Sequence, residues 1–123
     1  MPKGIIAEDN KGIREFLKGY VTQQGFQVDA VENARDLIER VSQGNYDFVI
    51  TDYRMPPGMN GLQAIAEIKR LKPGLRVCLA STEDPQLIEL LVKKAQAKPD
   101  YYFDKTSGVK KLDAFLDLVR KSS

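Results

Sequence analysis

Four apolar runs of this 123-residue chain end on side chains suited to binding a metal ion and handling phosphate. Ile5-Ile6-Ala7 leads into Glu8 and Asp9, and Phe48-Val49-Ile50-Thr51 leads into Asp52. Val77-Cys78-Leu79-Ala80 leads into Ser81 and Thr82, and Tyr101-Tyr102-Phe103-Asp104 into Lys105. If these runs are strands of one parallel sheet, their carboxyl ends share an edge, which is where such sheets bind ligands. Three carboxylates, a hydroxyl pair and one ammonium would then meet in a crevice. Carboxylates crowded together repel one another unless a cation sits among them. Magnesium (or manganese) suits that donor set, because it takes oxygen ligands, keeps several waters and accepts one or two carboxylates plus a phosphate oxygen. Lys105 would pair with one phosphoryl oxygen, and Ser81 or Thr82 would donate a hydrogen bond to another. Asp52 is the natural nucleophile, forming an aspartyl phosphate, since no serine–base or cysteine arrangement exists; Glu8 and Asp9 are the natural metal holders. Helix capping by a strand-end Asp accounts for Asp9 or Asp52 taken singly. It does not account for Glu8 beside Asp9, nor for a lysine and a hydroxyl closing the same edge.

Composition narrows the chemistry further. The chain has no histidine, which excludes a Ser-His-Asp triad, a His-ligated zinc and a phosphohistidine carried by this protein. Its single Cys78 lies within an apolar run, so neither a disulfide nor a thiolate metal site is available. A net charge of +2 is too small to argue for nucleic acid or membrane as a partner through bulk electrostatics. Hydrophobic residues make up 42% and charged residues 29%, as in ordinary globular domains, and no apolar run approaches the length of a membrane span. A cytoplasmic location is the expectation.

The elements that must position the strand ends follow from periodicity. Ile13, Phe16, Leu17, Tyr20 and Val21 form one helical stripe that Gly25 can close. A short strand over residues 26–31 follows, then a helix capped by Asn33 with Ala34, Leu37, Ile38 and Val41 on its buried face, ended by Gly44. The run 48–51 is apolar and β-prone, as in a central strand covered on both faces. Beyond the loop 55–61, Leu62, Ile65, Ala66, Ile68 and Leu71 mark a third helix. Asp84-Pro85 supplies a cap and a first-turn proline for a fourth, built on Leu87, Ile88, Leu91, Val92 and Ala95. The last helix uses Val109, Leu112, Phe115, Leu116 and Val119. Five strands alternating with five helices predict an α/β fold with a parallel sheet between helix layers. The chain stops one helix after its fifth strand, so residues 1–123 are expected to form one domain with no output domain.

Glu8-Asp9, Asp52 followed by Met55-Pro56 and Gly61, Ser81-Thr82 and Lys105 together resemble the receiver domain of two-component response regulators. The resemblance runs from Ile5 to Val119. It implies the flavodoxin-like (βα)5 sheet with strand order 2-1-3-4-5. It also implies that Asp52 accepts a phosphoryl group from a histidine kinase or phosphotransfer protein. Asp9 would bind the ion directly and Glu8 through water, with the Arg54 backbone carbonyl completing the protein ligands beside Asp52. Ser81 would be the switch hydroxyl, and Tyr102 the aromatic whose rotamer reports the switch. The face built by the fourth helix, fifth strand and fifth helix would bind an output partner or a second copy. Lys93, Lys94, Lys98, Lys110 and Lys111 fall near it; they read as a solvated surface guarding an edge strand or as a site for an acidic partner.

Several positions depart from the family pattern. The loop 55–61 is one residue longer than usual. Thr106 follows Lys105 where the family has proline, and a trans bond is expected because a cis bond before a non-proline residue costs about 3 kcal/mol. Thr82 stands where a smaller residue is usual, and either narrows access for phosphodonors or caps its loop. Lys98-Pro99 replaces a Gly-Ala pair, which should alter the end of the fourth helix. Arg54 and Glu83, each two residues past a site residue, should face each other across the mouth, pair, and hinder an attacking water, giving a long-lived phosphorylated state. Two rival readings remain. A small aspartate-nucleophile phosphatase would want a second acid where this chain has Arg54. A phosphorylation-independent interaction module would not need the full acid, hydroxyl and lysine set.

Overall fold

The computed structural model describes residues 1–122. Five parallel strands stand in the order β2-β1-β3-β4-β5. They are β1 (Lys3–Ala7), β2 (Gln27–Val31), β3 (Phe48–Asp52), β4 (Arg76–Ser81) and β5 (Tyr101–Asp104). The helices are α1 (Lys11–Gln23), α2 (Ala34–Gln43), α3 (Gly61–Leu71), α4 (Pro85–Lys94) and α5 (Asp113–Ser122). Alternate residues of each strand point to opposite faces, and two apolar clusters result. Ile5, Val49, Val77 and Leu79 join Leu37, Ile65 and Ile88 under α2, α3 and α4. Ile6, Phe48, Ile50 and Cys78 join Leu17, Val21, Phe115 and Val119 under α1 and α5. The order reverses direction at β1 and β3, and the crevice beyond their carboxyl ends is the topological switch point where ligands bind in this architecture.

Caps fix where each helix leaves that edge. Asn10 accepts from the Ile13 amide, Asn33 from Asp36 and Asp84 from Gln86, so each helix begins directly after a strand-end loop. Asn60 and Gln63 form a reciprocal capping box at the start of α3. The pattern Asn-x-x-Gln ahead of an apolar run carries this signal in the sequence, although Gly61 and the prolines before it draw the eye instead. Gly61 itself sits so close to β3 that a Cβ there would lie 2.3 Å from the Asp52 carbonyl oxygen, while its amide donates to Tyr53 at 2.7 Å. Glycine at this position is what lets α3 start against the end of β3.

The structure corrects the helical stripes in three places. Leu17 and Val21 are buried, but Ile13 and Phe16 are 37% and 57% exposed. The reason is geometric: α1 leaves from the carboxyl end of β1, so its first turns overhang the edge of the sheet. Leu87 is likewise exposed in the first turn of α4, whose buried anchor is Ile88. The last helix starts at Asp113, not Val109, because Gly108 adopts a φ of 96° and residues Val109–Leu112 form a tighter 3-10 turn. Leu112 is nevertheless fully buried, so the apolar pattern identified the packing correctly and the helical geometry incorrectly. At the far end of α4, Ala95 turns to an extended conformation and Lys98 Nζ donates to the Val92 carbonyl at 2.9 Å, satisfying a helix-terminal acceptor.

Candidate functional site

Glu8, Asp9 and Asp52 converge at the crevice, with one carboxylate oxygen from each within 4.8 Å of the others. Lys105 joins them: Nζ pairs with Glu8 Oε1 and lies 3.1 Å from Asp52 Oδ1. The side chains of Lys105, Glu8 and Asp52 are only 11%, 2% and 12% exposed. Burying a carboxylate as deeply as Glu8 is costly unless it is paired and hydrogen-bonded. Lys105 provides the charge, and the Asn10 amide donates to Glu8 Oε2 at 3.2 Å. Arg14, one turn into α1, donates from Nη1 to the Glu8 carbonyl at 2.9 Å and braces the end of β1. Strand-end placement points Lys105 to a phosphoryl oxygen, and the family resemblance gives Glu8 a metal-bound water; the structure adds a direct contact between the two. Its span of 97 residues makes it a product of strand register, with no local signal.

Three carboxylates against one ammonium leave the cluster two charges negative. The Asp9 carboxyl is held above its ordinary range, first by loss of solvent and then by the Glu8 carboxylate beside it. An excess of hard oxygen donors, matched in charge to a divalent cation, fits magnesium. Glu8, Asp9 and Asp52 are therefore the side chains able to hold such an ion.

The hydroxyl side of the site divides in two. Ser81 is buried at the end of β4, and its Oγ accepts from the Glu83 amide at 2.9 Å. Thr82 is exposed and lines a groove of about 260 Å³ with Ile13, Phe16, Leu17, Phe103 and Lys105. Asp84 caps α4, which leaves Thr82 at the approach to Lys105. Tyr102 is half-buried and its hydroxyl is 3.4 Å from the Glu83 carbonyl oxygen; burial is the main cause of its raised pKa. Arg54 and Glu83 form the expected ion pair across the mouth, through Arg54 Nε and Glu83 Oε1. The guanidinium also lies over the Tyr53 ring, 5.9 Å from its centroid. The bond between Lys105 and Thr106 is trans, since the only cis bond among the described residues joins Pro56 and Pro57. In place of a proline, Asp104 shapes the turn after Lys105, accepting from the Thr106 amide at 2.9 Å and its hydroxyl at 2.7 Å.

A five-stranded 2-1-3-4-5 sheet with acids, a hydroxyl and a lysine on its carboxyl edge defines a receiver-type switch-point site. Residues 5–117 match the response regulator receiver domain, and the chain belongs to that family of two-component signalling proteins. It is 32% identical over 95 residues to the chemotaxis protein CheY of Thermotoga maritima, covering 76% of this chain and 78% of that protein. It is 30% identical over 119 residues to the DNA-binding transcriptional regulator NtrC of Azospirillum brasilense, covering 97% of this chain but only 24% of the relative. The chain thus spans about a quarter of the length of that longer regulator. Among solved structures, the response regulator TrrA of Thermotoga maritima in complex with Mg(2+)-BeF superimposes with a TM-score of 0.84 at 28% identity. That match covers 97% of this chain and 99% of TrrA. TrrA bound to the histidine kinase ThkA also matches, with a TM-score of 0.78 at 26% identity and 97% and 98% coverage. No helix among the described residues is long and apolar enough to cross a membrane.

Proposed function

We propose that the chain is a phosphorylation-dependent switch in which Asp52 accepts a phosphoryl group from a histidine kinase or phosphotransfer protein. The observation that carries this reading is the cluster itself: Asp52 beside Glu8 and Asp9, with Lys105 reaching both Asp52 and Glu8. An Asp52 carboxylate oxygen attacks phosphorus, and the bond from phosphorus to the donor nitrogen breaks. The electron pair of that bond stays on the imidazole, which takes up a proton from solvent. Reversal of the charge state comes by hydrolysis: water attacks phosphorus, the bond to Asp52 breaks, and the carboxylate leaves. A magnesium or manganese ion held by Glu8, Asp9, Asp52 and the Arg54 carbonyl would neutralise charge on the phosphoryl oxygens. Lys105 leaves its carboxylate partners for a phosphoryl oxygen, and Ser81 donates its hydroxyl proton to another, with Thr82 at the entrance.

On this reading the protein catalyses only its own phosphorylation and dephosphorylation. The kinase partner is supported by the likeness to TrrA, which has been solved in complex with the histidine kinase ThkA. Ser81 and Tyr102 are the moving parts, and both meet Glu83 in the loop that leads into α4. The face formed by α4, β5 and α5 then carries the signal to an output partner or a second copy, and the expected location is the cytoplasm. Thermal melting tests the reading: magnesium with beryllofluoride, a phosphoryl mimic, should raise the midpoint of wild type and leave Asp52→Asn unmoved. Equal shifts in both proteins would contradict it.

A further inference from the structure

The Arg54–Glu83 pair does more than span the mouth, because Glu83 is also the residue that occupies Ser81 and Tyr102. Its carboxylate is gripped by Arg54, its amide donates to Ser81 Oγ, and its carbonyl oxygen lies 3.4 Å from the Tyr102 hydroxyl. In the same structure Lys105 pairs with Glu8 and Asp52, so the ammonium and the guanidinium each already hold a carboxylate at the mouth. Arg54 is two residues past Asp52 and its side chain is largely in solvent, with the guanidinium held by Glu83 and the Tyr53 ring and not by burial. A phosphoryl group on Asp52 puts about two negative charges at this mouth where the carboxylate had one. A guanidinium binds phosphate oxygens in forked geometry, while the same charge repels the Glu83 carboxylate.

We propose that Arg54 exchanges partners on phosphorylation, leaving Glu83 for the phosphoryl group and thereby releasing the loop that holds Ser81. The proposal rests on Asp52 being the phosphoacceptor and adds a positioning role for two residues outside the acid–lysine cluster. Arg54 has one anionic partner in each state, and Glu83 has its partner only in the unphosphorylated state. The pair therefore acts as a latch on Ser81, and its two members must affect phosphoryl binding in opposite directions. A simple lid over the mouth would make them act alike.

The test is calorimetric titration of beryllofluoride at saturating magnesium, on wild type, Arg54→Ala, Glu83→Gln and the double variant. Glu83→Gln frees Arg54 and removes the repulsion, so binding tightens by about two- to fivefold, the size expected for an exposed ion pair. Arg54→Ala loses the phosphoryl partner and weakens binding by a similar factor. In the double variant the gain from Glu83→Gln shrinks, because no arginine remains to be freed. The Arg54 side chain is largely in solvent and that of Glu83 is 20% exposed, and unchanged melting temperatures without ligand confirm the fold. Single variants that shift binding in the same direction, or not at all, overturn the exchange while leaving Asp52 as acceptor. Failure of wild type itself to bind overturns the phosphoacceptor reading and the exchange together.

Discussion

Lys105 has two carboxylate partners where its charge suggested a single phosphate oxygen. The strand-end rule made Glu8, Asp9, Asp52, Ser81 and Lys105 visible in the sequence, because each follows an apolar run. Which of them touch was not visible, since contacts between β1 and β5 loops depend on register and on how the chain after Asp104 turns. The ammonium pairs with buried carboxylates, and that pairing offsets their desolvation. The Arg54–Glu83 pair was legible for a simpler reason: equal offsets of two residues past the site residues Asp52 and Ser81, at the ends of the neighbouring strands β3 and β4, place the side chains opposite each other. At this scale the prediction concerns hydrolysis. If Arg54 moves to the phosphoryl group as proposed, it shields the phosphorus, and Arg54→Ala should lose its phosphoryl group faster than wild type, by up to about fivefold on the worth of an exposed charge contact. Loss of the radiolabel from purified phosphoprotein measures it; an equal or slower rate would count against shielding.

Elements set what those residues can reach. Periodicity located every helix, but it could not tell which turns of a stripe lie over the sheet and which overhang its edge. Ile13 and Phe16 belong to the same stripe as Leu17 and Val21, yet they face a groove that ends at Lys105. If the proposed protein donor reaches Asp52 across that groove, it contacts Phe16, whereas a small donor does not need the groove. Phe16→Ala should therefore slow phosphotransfer from a protein donor at least several-fold and leave the rate with acetyl phosphate unchanged. Equal slowing with both donors would place the defect inside the site instead. Gly61 tests the other flank. An added methyl would meet the Asp52 carbonyl at 2.3 Å, so α3 or β3 must shift. Gly61→Ala should cost about 1–3 kcal/mol, as overpacking usually does, and should also slow phosphorylation because Asp52 moves with its backbone. Denaturant melts that match wild type would show that α3 can withdraw without loss.

At the scale of the molecule, alternation of strands and helices established a parallel sheet, but the order 2-1-3-4-5 came from likeness to a family; periodicity has no information about which crossover goes left or right of β1. That order matters, because it puts β1 and β3 side by side and so brings Asp9 to Asp52. It also makes β5 an edge strand, flanked by the exposed Lys98, Lys110 and Lys111. Cys78 lies in the second apolar layer, fully buried, and burial pushes its thiol well above the usual range. It should be inert to a thiol reagent in native protein and react only as the whole domain opens, at the rate of global unfolding. Rapid native labelling would reveal a local opening of β4. The central claim, however, concerns Asp52, and intact-mass spectrometry after incubation with magnesium and acetyl phosphate tests it most directly. Wild type should gain the mass of one phosphoryl group and lose it when the ion is chelated before the donor is added, whereas Asp52→Asn should gain none. An equal gain in Asp52→Asn, or none in wild type, would contradict the account.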